Sequence, residues 1–241
     1  MAPISLAEAA PDPRPSVAPP KPSVSKGTYD GLLLECERAA KLLKVRKDKD
    51  ILVADRHHES LYVVHSGWFI RYKLLHTGSR QIVDFILPGE IFGLQLCRFK
   101  TSLYSVASIT DAMLSAIPLT AVNGILERNP KLSKTLLWSA ICEAAILSEH
   151  LTDAARRSAY ERVSHLLLEL FVRLRRAGAT RGMSFHMPVT QEHIGDALGL
   201  TKRGLHVDDQ LDIGDLLDWQ VRGFSPLIIL VVLVIENDGK F

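Results

Sequence analysis

The segment TQEHIGDALGLT, residues 190–201, decides the class of fold because it has the pattern of the first helix and tight turn of a helix-turn-helix. Thr190 is a suitable N-cap, and Glu192 and Asp196 are expected near the exposed or N-terminal side of that helix. Apolar residues recur at helical spacing on the opposite face, which predicts that they are buried. These apolar residues are Ile194, Ala197 and Leu198.

The turn after this helix is marked by Gly199, and Thr201 can cap a second helix. In a DNA-binding module, such a second helix enters the major groove. An ordinary pair of antiparallel helices is the alternative, and twelve residues by themselves leave it open. The residues predicted to lie at a DNA interface are Thr190, Gln191, Glu192, Thr201, Lys202, Arg203 and His206.

The composition is that of a globular chain without a strong overall charge. The 241 residues are 47% hydrophobic, and the formal net charge is +2, so a nucleic-acid contact must come from a local patch. The three cysteines, Cys36, Cys97 and Cys142, have the spacing of neither a disulfide framework nor a zinc site. There is no signal-peptide pattern, and the longest apolar run, residues 227–235, is too short to span a bilayer as a helix. We therefore expect a cytoplasmic protein without a membrane partner or a metal site.

The first half of the chain is predicted to be a proline-rich arm followed by a β-roll. Residues 1–27 contain seven of the twelve prolines, which predicts disorder. Residues 28–129 begin with a predicted helix over 29–43 and a basic turn over 44–49. Short segments rich in Val, Ile, Tyr and Phe follow, separated by turn signals, and they predict an antiparallel roll of the jelly-roll or double-stranded β-helix type. The predicted strands are 50–54, 61–66, 68–75, 80–87, 103–109 and 112–117.

The second half is predicted to be helical, so the fold class is α+β. A short helix over 119–128 precedes a long helix over 130–156, which Pro130 can open. The apolar stripe of the long helix is wider than a lone surface helix needs, which predicts pairing with a second subunit; coverage of the roll is the alternative. The residues predicted for the dimer contact are Leu136, Leu137, Ala140, Ile141, Ala144 and Leu147.

Residues 157–241 are predicted to form the helix-turn-helix domain. Its first helix covers 158–176 and ends in three arginines, which can interact with the helix dipole or with DNA phosphates. These arginines are Arg173, Arg175 and Arg176.

A roll, a long helix and a helix-turn-helix in this order resemble the Crp/Fnr family of bacterial transcription regulators. The stretch GWFIRYKLLHTGSRQIVDFILPGEIFG, residues 67–93, is similar to the roll strands of the family and their Pro-Gly-acidic turn. Residues 138–178 resemble the dimer helix and the helix after it, and residues 185–201 resemble the entry to the winged helix-turn-helix. The resemblance implies a ligand-sensing homodimer that binds a palindromic operator and works with RNA polymerase, and it implies no enzymatic activity.

Two charged positions of the family members that bind cyclic AMP are missing. A Glu is expected after the Gly-rich turn, where this chain has Gly93-Leu94-Gln95, and an Arg is expected before Ser102, where it has Thr101. An anionic nucleotide would be desolvated there without a charge partner, so the sequence argues against cyclic AMP. An apolar or uncharged signal, or a roll that is only a scaffold, is expected instead. The predicted pocket residues are Phe85, Gly89, Glu90, Phe92, Gly93, Leu94, Leu103 and Tyr104.

No cofactor is expected. Three cysteines exclude a single-chain iron–sulfur cluster with four thiolates. A haem bound through His57, His58 or His65 is left open as an alternative.

The segment after Thr201 departs from the family pattern. Residues 202–220 contain five aspartates, and no Lys or Arg occurs from Gly204 to Val221. DNA affinity depends strongly on cations that neutralise phosphates, so this acidity predicts weak binding. The C-terminus is therefore either naturally degenerate or the product of a changed reading frame. The alternative function is a dimerising sensor that has lost specific DNA binding. The aspartates are Asp208, Asp209, Asp212, Asp215 and Asp218.

Overall fold

The computed structural model describes residues 29–36, 38–99, 101–181 and 185–200. Eight strands form the first part: β1 (Lys41–Val45), β2 (Asp50–Leu52), β3 (Ser60–Ser66), β4 (Phe69–Leu74), β5 (Arg80–Ile86), β6 (Ile91–Phe92), β7 (Ser105–Ser108) and β8 (Ala112–Pro118). The helices are α1 (Asp30–Glu35), α2 (Leu119–Arg128), α3 (Pro130–Arg156), α4 (Ala159–Arg176) and α5 (Gln191–Leu198), and a 3₁₀ helix covers Leu94–Cys97. The predicted arm over 1–27 and everything from Thr201 onward lie outside the described residues.

The strands form two antiparallel sheets that face each other. The strand orders are β1-β8-β3-β6 and β2-β7-β4-β5. Because side chains alternate along a strand, each sheet presents one apolar face to the other sheet and one to helices. Val64 and Phe69 lie in the core between the sheets, whereas Val63 and Ile70 lie in the two outer cores. The predicted α+β class with an antiparallel roll is confirmed.

Helices cover both outer faces of the roll. The first sheet packs against α1, α2 and the start of α3 through residues such as Leu61 and Ile117. The second sheet packs against α4 and α5 through residues such as Trp68, Ile82 and Phe85. The helix-turn-helix portion therefore lies directly on the roll of its own chain, joined to it by a continuous apolar core.

All six predicted strands are present, but two were missed and one predicted helix is wrong in extent. The helix predicted over 29–43 ends at Glu35, and Lys41–Val45 is instead β1, paired with β8 from Lys41–Ala116 to Val45–Ala112. The predicted basic turn over 44–49 is correspondingly shorter, because Lys44 belongs to β1. Residues 41–45 form a strand because the free edge of β8 supplies hydrogen-bond partners for their backbone. The position of β8 cannot be read from the local sequence of the segment. The two-residue strand β6 is too short to have a pattern.

The predicted helices of the second half are present with the expected bounds. Asn129 caps α3 by accepting from the Leu132 amide, and Pro130 occupies its first turn. Ser158 and Glu161 form a capping box at the start of α4. Between them Arg157 is extended, so the chain turns sharply from α3 into α4.

Candidate nucleic-acid interface and sensor site

The first helix of the predicted helix-turn-helix is present and has the expected caps. The Thr190 hydroxyl accepts from the His193 amide at 3.2 Å, and the Thr190 amide donates to Nδ1 of His193 at 3.3 Å. Ile194 is buried, and Ala197 and Leu198 pack against the same core. Gly199 has φ +63°, a left-handed conformation that glycine adopts without strain, and it ends the helix as the sequence predicted.

Side chains of β5 hold α5 on the roll. The Arg80 guanidinium lies 2.8 Å from the Asp196 carboxylate, and the Gln81 amide donates to the Ala197 carbonyl at 3.1 Å. The Arg162 guanidinium of α4 donates to the Leu198 carbonyl at 2.8 Å. Asp196, which was expected near the exposed or N-terminal side of α5, is therefore only partly exposed, because its carboxylate pairs with a cation of the roll.

Three of the residues predicted for the DNA interface are described, and all three are exposed: Thr190, Gln191 and Glu192. The other four, which are Thr201, Lys202, Arg203 and His206, lie outside the described residues. The structure therefore places the start of the motif at the surface, and the predicted recognition helix stays a prediction.

Arg173 of α4 is the centre of a buried charge cluster against the roll. Its guanidinium donates to Asp84 at 3.0 Å, to Glu169 at 2.6 Å and to both carboxylate oxygens of Glu90 at 2.9 and 2.8 Å. It also donates to the Phe85 carbonyl at 2.5 Å. Arg173 lies in the last turn of α4, as the helix-dipole interpretation expects. The alternative that it contacts DNA phosphates is wrong, because its side chain is turned into the roll.

Glu90 and Phe85, two of the predicted pocket residues, are therefore engaged in the contact with α4. Glu90 also accepts from the Leu87 amide at 3.0 Å, which shapes the Pro-Gly-Glu turn for its contact with Arg173. Phe85 lies in the outer core with α4, at 6.5 Å from Trp68 between ring centroids. Both belong to the contact between the roll and the helices. Their neighbour Gly89 has φ +85° in the same turn, with open space around it.

A second buried pair, His150 of α3 and Glu169 of α4, extends the cluster. Nε2 of His150 lies 2.6 Å from Oε2 of Glu169. Burial lowers the pKa of His150, but the hydrogen bond to Glu169 and its charge outweigh burial and raise the pKa to about 9. Burial raises the pKa of Glu169, but His150 and Arg173 outweigh it and hold the pKa at about 2. The pair is therefore ionised at neutral pH and joins the two long helices.

The remaining predicted pocket residues are divided between different surroundings. Phe92 lies in the core between the sheets, 4.9 Å from the Tyr62 ring and 5.6 Å from the Phe69 ring between centroids. Leu94 packs on the outer core under α2, and Leu103 is 50% exposed. Gly93 has φ +89° and lies close to the Ser60 carbonyl, where a Cβ would be tight. The predicted residues thus lie in different surroundings, and their role in a ligand pocket stays a prediction.

Tyr104, another predicted pocket residue, is held by polar contacts inside the roll. Its hydroxyl donates to the Gln95 side-chain oxygen at 2.6 Å, and its carbonyl accepts from the Ser102 hydroxyl at 2.6 Å. The guanidinium carbon of Arg71 lies 4.5 Å above its ring. Gln95 and Ser102, at the positions where the resemblance implies nucleotide-binding groups, thus have partners within the roll.

Arg71 is a functional candidate that sequence reasoning missed. It is 5% exposed on β4, between Phe69 and Lys73 on one face of the strand, and it forms an ion pair with Glu143 of α3. The sequence signal for a special role of Arg71 is a guanidinium in a strand otherwise rich in apolar and aromatic residues. Periodicity alone did not reveal it, because its partners are distant in sequence.

The long helix α3 presents an exposed seam at alternating spacings of four and three residues. Its members are Leu137, Ile141, Ala144, Ser148 and Leu151. The exposed fractions of Leu137, Ile141 and Leu151 are 62%, 50% and 72%. Leu136 is 3% exposed within the chain's own core, so its inclusion in the predicted dimer contact is wrong. Ala140 and Leu147 are half-buried beside the seam.

The three histidines considered for haem each contact a different partner. His58 accepts from the Val53 amide at 3.0 Å, His65 bonds the Ser115 hydroxyl at 2.7 Å, and His57 lies 3.8 Å from Glu59. Within the described ranges, no group of three or more His, Cys, Asp or Glu side chains is arranged to hold a metal ion. The same ranges contain no helix with the length and apolar character needed to cross a membrane.

The fold and its site define a class: a double-sheet roll with a long exposed helix and a helix-turn-helix entry. Residues 42–129 match the family described as the cyclic nucleotide-binding domain. The chain is 30% identical over 169 residues to the transcriptional activatory protein AadR of Rhodopseudomonas palustris, covering 69% of each chain. These findings show that the chain belongs to the Crp/Fnr family of transcription regulators.

Two further similarities, to a curated protein and to a solved structure, agree with this family assignment. The nitrogen fixation regulation protein FixK of Bradyrhizobium diazoefficiens is 34% identical over 145 residues, which cover 59% of each chain. The solved structure of FixK2 from Bradyrhizobium japonicum matches with a TM-score of 0.62 and 27% identity, over 77% of this chain and 88% of that one. The match to FixK thus spans about three fifths of that relative. Both curated relatives are named as regulators, of nitrogen fixation and of transcription.

Proposed function

We propose that this protein is a cytoplasmic DNA-binding transcription regulator of the Crp/Fnr type that works as a homodimer and acts together with RNA polymerase. The observation that carries the proposal is the capped α5 helix with its left-handed turn at Gly199, held on the second sheet of the roll. A second helix after that turn would be the one to enter a major groove.

The exposed seam of α3 supports the homodimer. Alternating spacings of four and three residues give a narrow apolar stripe that two helices can pair along, with small Ala144 and Ser148 between larger side chains. The opposite side of the helix is already occupied, at Leu136 by the chain's own core and at His150 by Glu169. The seam is therefore the face that remains for a second copy.

The proposed DNA binding is tested by changing the charge of the segment after Thr201. We expect the unaltered chain to bind its own upstream region weakly, and Asp209→Arg to raise the affinity about tenfold or more, since each added phosphate contact strengthens binding and steepens its salt dependence. Fluorescence anisotropy titrations at several salt concentrations measure both quantities. Glu127→Arg makes the same charge change on the exposed surface of α2 and is the matched control.

The outcomes of that titration distinguish an error in the charge argument from an error in the proposed function. Nanomolar, salt-sensitive and sequence-selective binding by the unaltered chain would contradict the charge argument and leave the proposed function intact. If neither the unaltered chain nor Asp209→Arg binds DNA at low salt, the proposed function is wrong, and a dimerising protein without specific DNA binding is the better description.

We also propose that cyclic AMP is not the signal and that the protein needs no cofactor. Thr101 carries no charge for a phosphate, and the side chains of Gln95 and Ser102 are bonded to Tyr104 and to each other. Isothermal titration calorimetry with millimolar cyclic AMP should therefore give no saturable heat. Saturable binding at micromolar affinity would show that the roll has a charge partner for the nucleotide after all.

A further inference from the structure

Arg71 is a buried cation in a part of the roll where a charge is costly. Its side chain is 6% exposed, and it lies on the same face of β4 as Phe69, which belongs to the core between the sheets. A guanidinium buried in this way strongly destabilises the fold unless it is paired. Its contacts must therefore compensate for the burial of the charge.

The guanidinium rests on a fixed platform inside the roll. The Tyr104 ring lies beneath it, with 4.5 Å between the guanidinium carbon and the ring centroid. The Tyr104 hydroxyl is held by Gln95 at 2.6 Å, and Gln95 in turn donates to Ser102 at 3.3 Å. The roll itself therefore fixes the orientation of the Arg71 side chain.

In this orientation the Arg71 guanidinium reaches α3, where it pairs with the Glu143 carboxylate. Among the described residues, this is the ion pair that joins the roll to α3; the other ion pairs of the helix lead to α4 or to Arg157. Glu143 lies between Ile141 and Ala144 along the helix but about 100° around it from Ala144, so the pair meets the roll-facing side of α3 at the level of the middle of the seam.

We propose that Arg71 is a positioning residue for the dimer helix: it fixes the middle of α3 against the roll, and so sets the seam for a second copy of this chain without a bound effector. The inference rests on the proposed homodimer. The roll and the helix are connected here by two of the chain's own side chains, Arg71 and Glu143.

The test is the dimer dissociation constant, measured by sedimentation equilibrium on purified protein that has been unfolded in urea, dialysed and refolded to remove small molecules. We expect the refolded wild type to dimerise as before and Arg71→Met to raise the dissociation constant about tenfold. Methionine fills a similar volume without a charge, so the roll should keep its circular dichroism spectrum. Lys73→Met, an exposed position on the same face of β4, should change nothing.

A double variant distinguishes positioning from general weakening of the fold. Because Arg71 and Glu143 act through one contact, Arg71→Met with Glu143→Gln should lose no more than Arg71→Met alone. Hydrogen exchange should show less protection of the α3 amides around Glu143 in both variants. Additive losses, or unchanged exchange, would overturn the inference.

The remaining outcomes are equally decisive. If wild-type protein is a dimer before urea treatment and a monomer after it, an effector is required and the inference is wrong, while the proposed homodimer stands. If Arg71→Met dimerises like wild type, Arg71 does not position the helix. If Arg71→Met does not fold, Glu143→Gln alone is measured, and an unchanged dissociation constant would overturn the inference. A wild type that is monomeric under all conditions contradicts the proposed homodimer itself.

Discussion

Arg173→Met is expected to lower the free energy of unfolding by about 3–5 kcal/mol, because it leaves buried carboxylates without their cation. Arg173, Asp84 and Glu169 have side chains 14%, 12% and 13% exposed, so water cannot replace the lost partner. Glu90 loses its contact with Arg173 as well. Thermal unfolding followed by circular dichroism should show a Tm lower by roughly 10 °C.

Two comparisons make the Arg173 result specific. Arg175→Met, two residues further along α4 and exposed, should change Tm by no more than a degree or two, as is usual for surface positions. Arg173→Lys should lie between wild type and Arg173→Met, since an ammonium keeps the charge but not the geometry that reaches three carboxylates. If Arg173→Met is as stable as wild type, the cluster does not hold α4 on the roll.

Ile141→Glu is expected to abolish the homodimer at micromolar concentration, with a dissociation constant raised at least about a hundredfold. In a twofold pair of helices, a residue on the seam meets its own copy, so two carboxylates would be buried together without partners. Sedimentation velocity should show one species of monomer mass. The monomer fold should be intact, because Ile141 is 50% exposed in the single chain.

Leu42→Glu is the matched control for this result. Leu42 has a similar exposure of 57%, and it lies on β1 rather than on α3. A charge there should leave the dimer unaffected. A wild type that is monomeric at tens of micromolar would contradict the proposed homodimer, and a dimeric Ile141→Glu would show that the two copies pair through another face.

The sequence by itself determined the elements whose signals are local. Thr190 and Gly199 mark the two ends of α5 by a side-chain cap and by a left-handed backbone position, which a single residue type can satisfy. The six predicted strands follow from alternation and turn residues, and Asn129-Pro130 opens α3 as the rules for helix starts predict. The family resemblance rested on these same local motifs in their order along the chain.

Only the tertiary structure decided which partner each side chain has. Arg71 and Arg173 find carboxylates 72 and 83 residues away, and Arg80 pairs with a residue of α5, so no local pattern distinguishes these arginines from solvated ones. Leu136 and Leu137 are identical neighbours, yet the first is buried in the monomer core and the second is 62% exposed on the seam. One residue step rotates a side chain by about 100° around a helix, and the direction of the core is known only once the chain has folded.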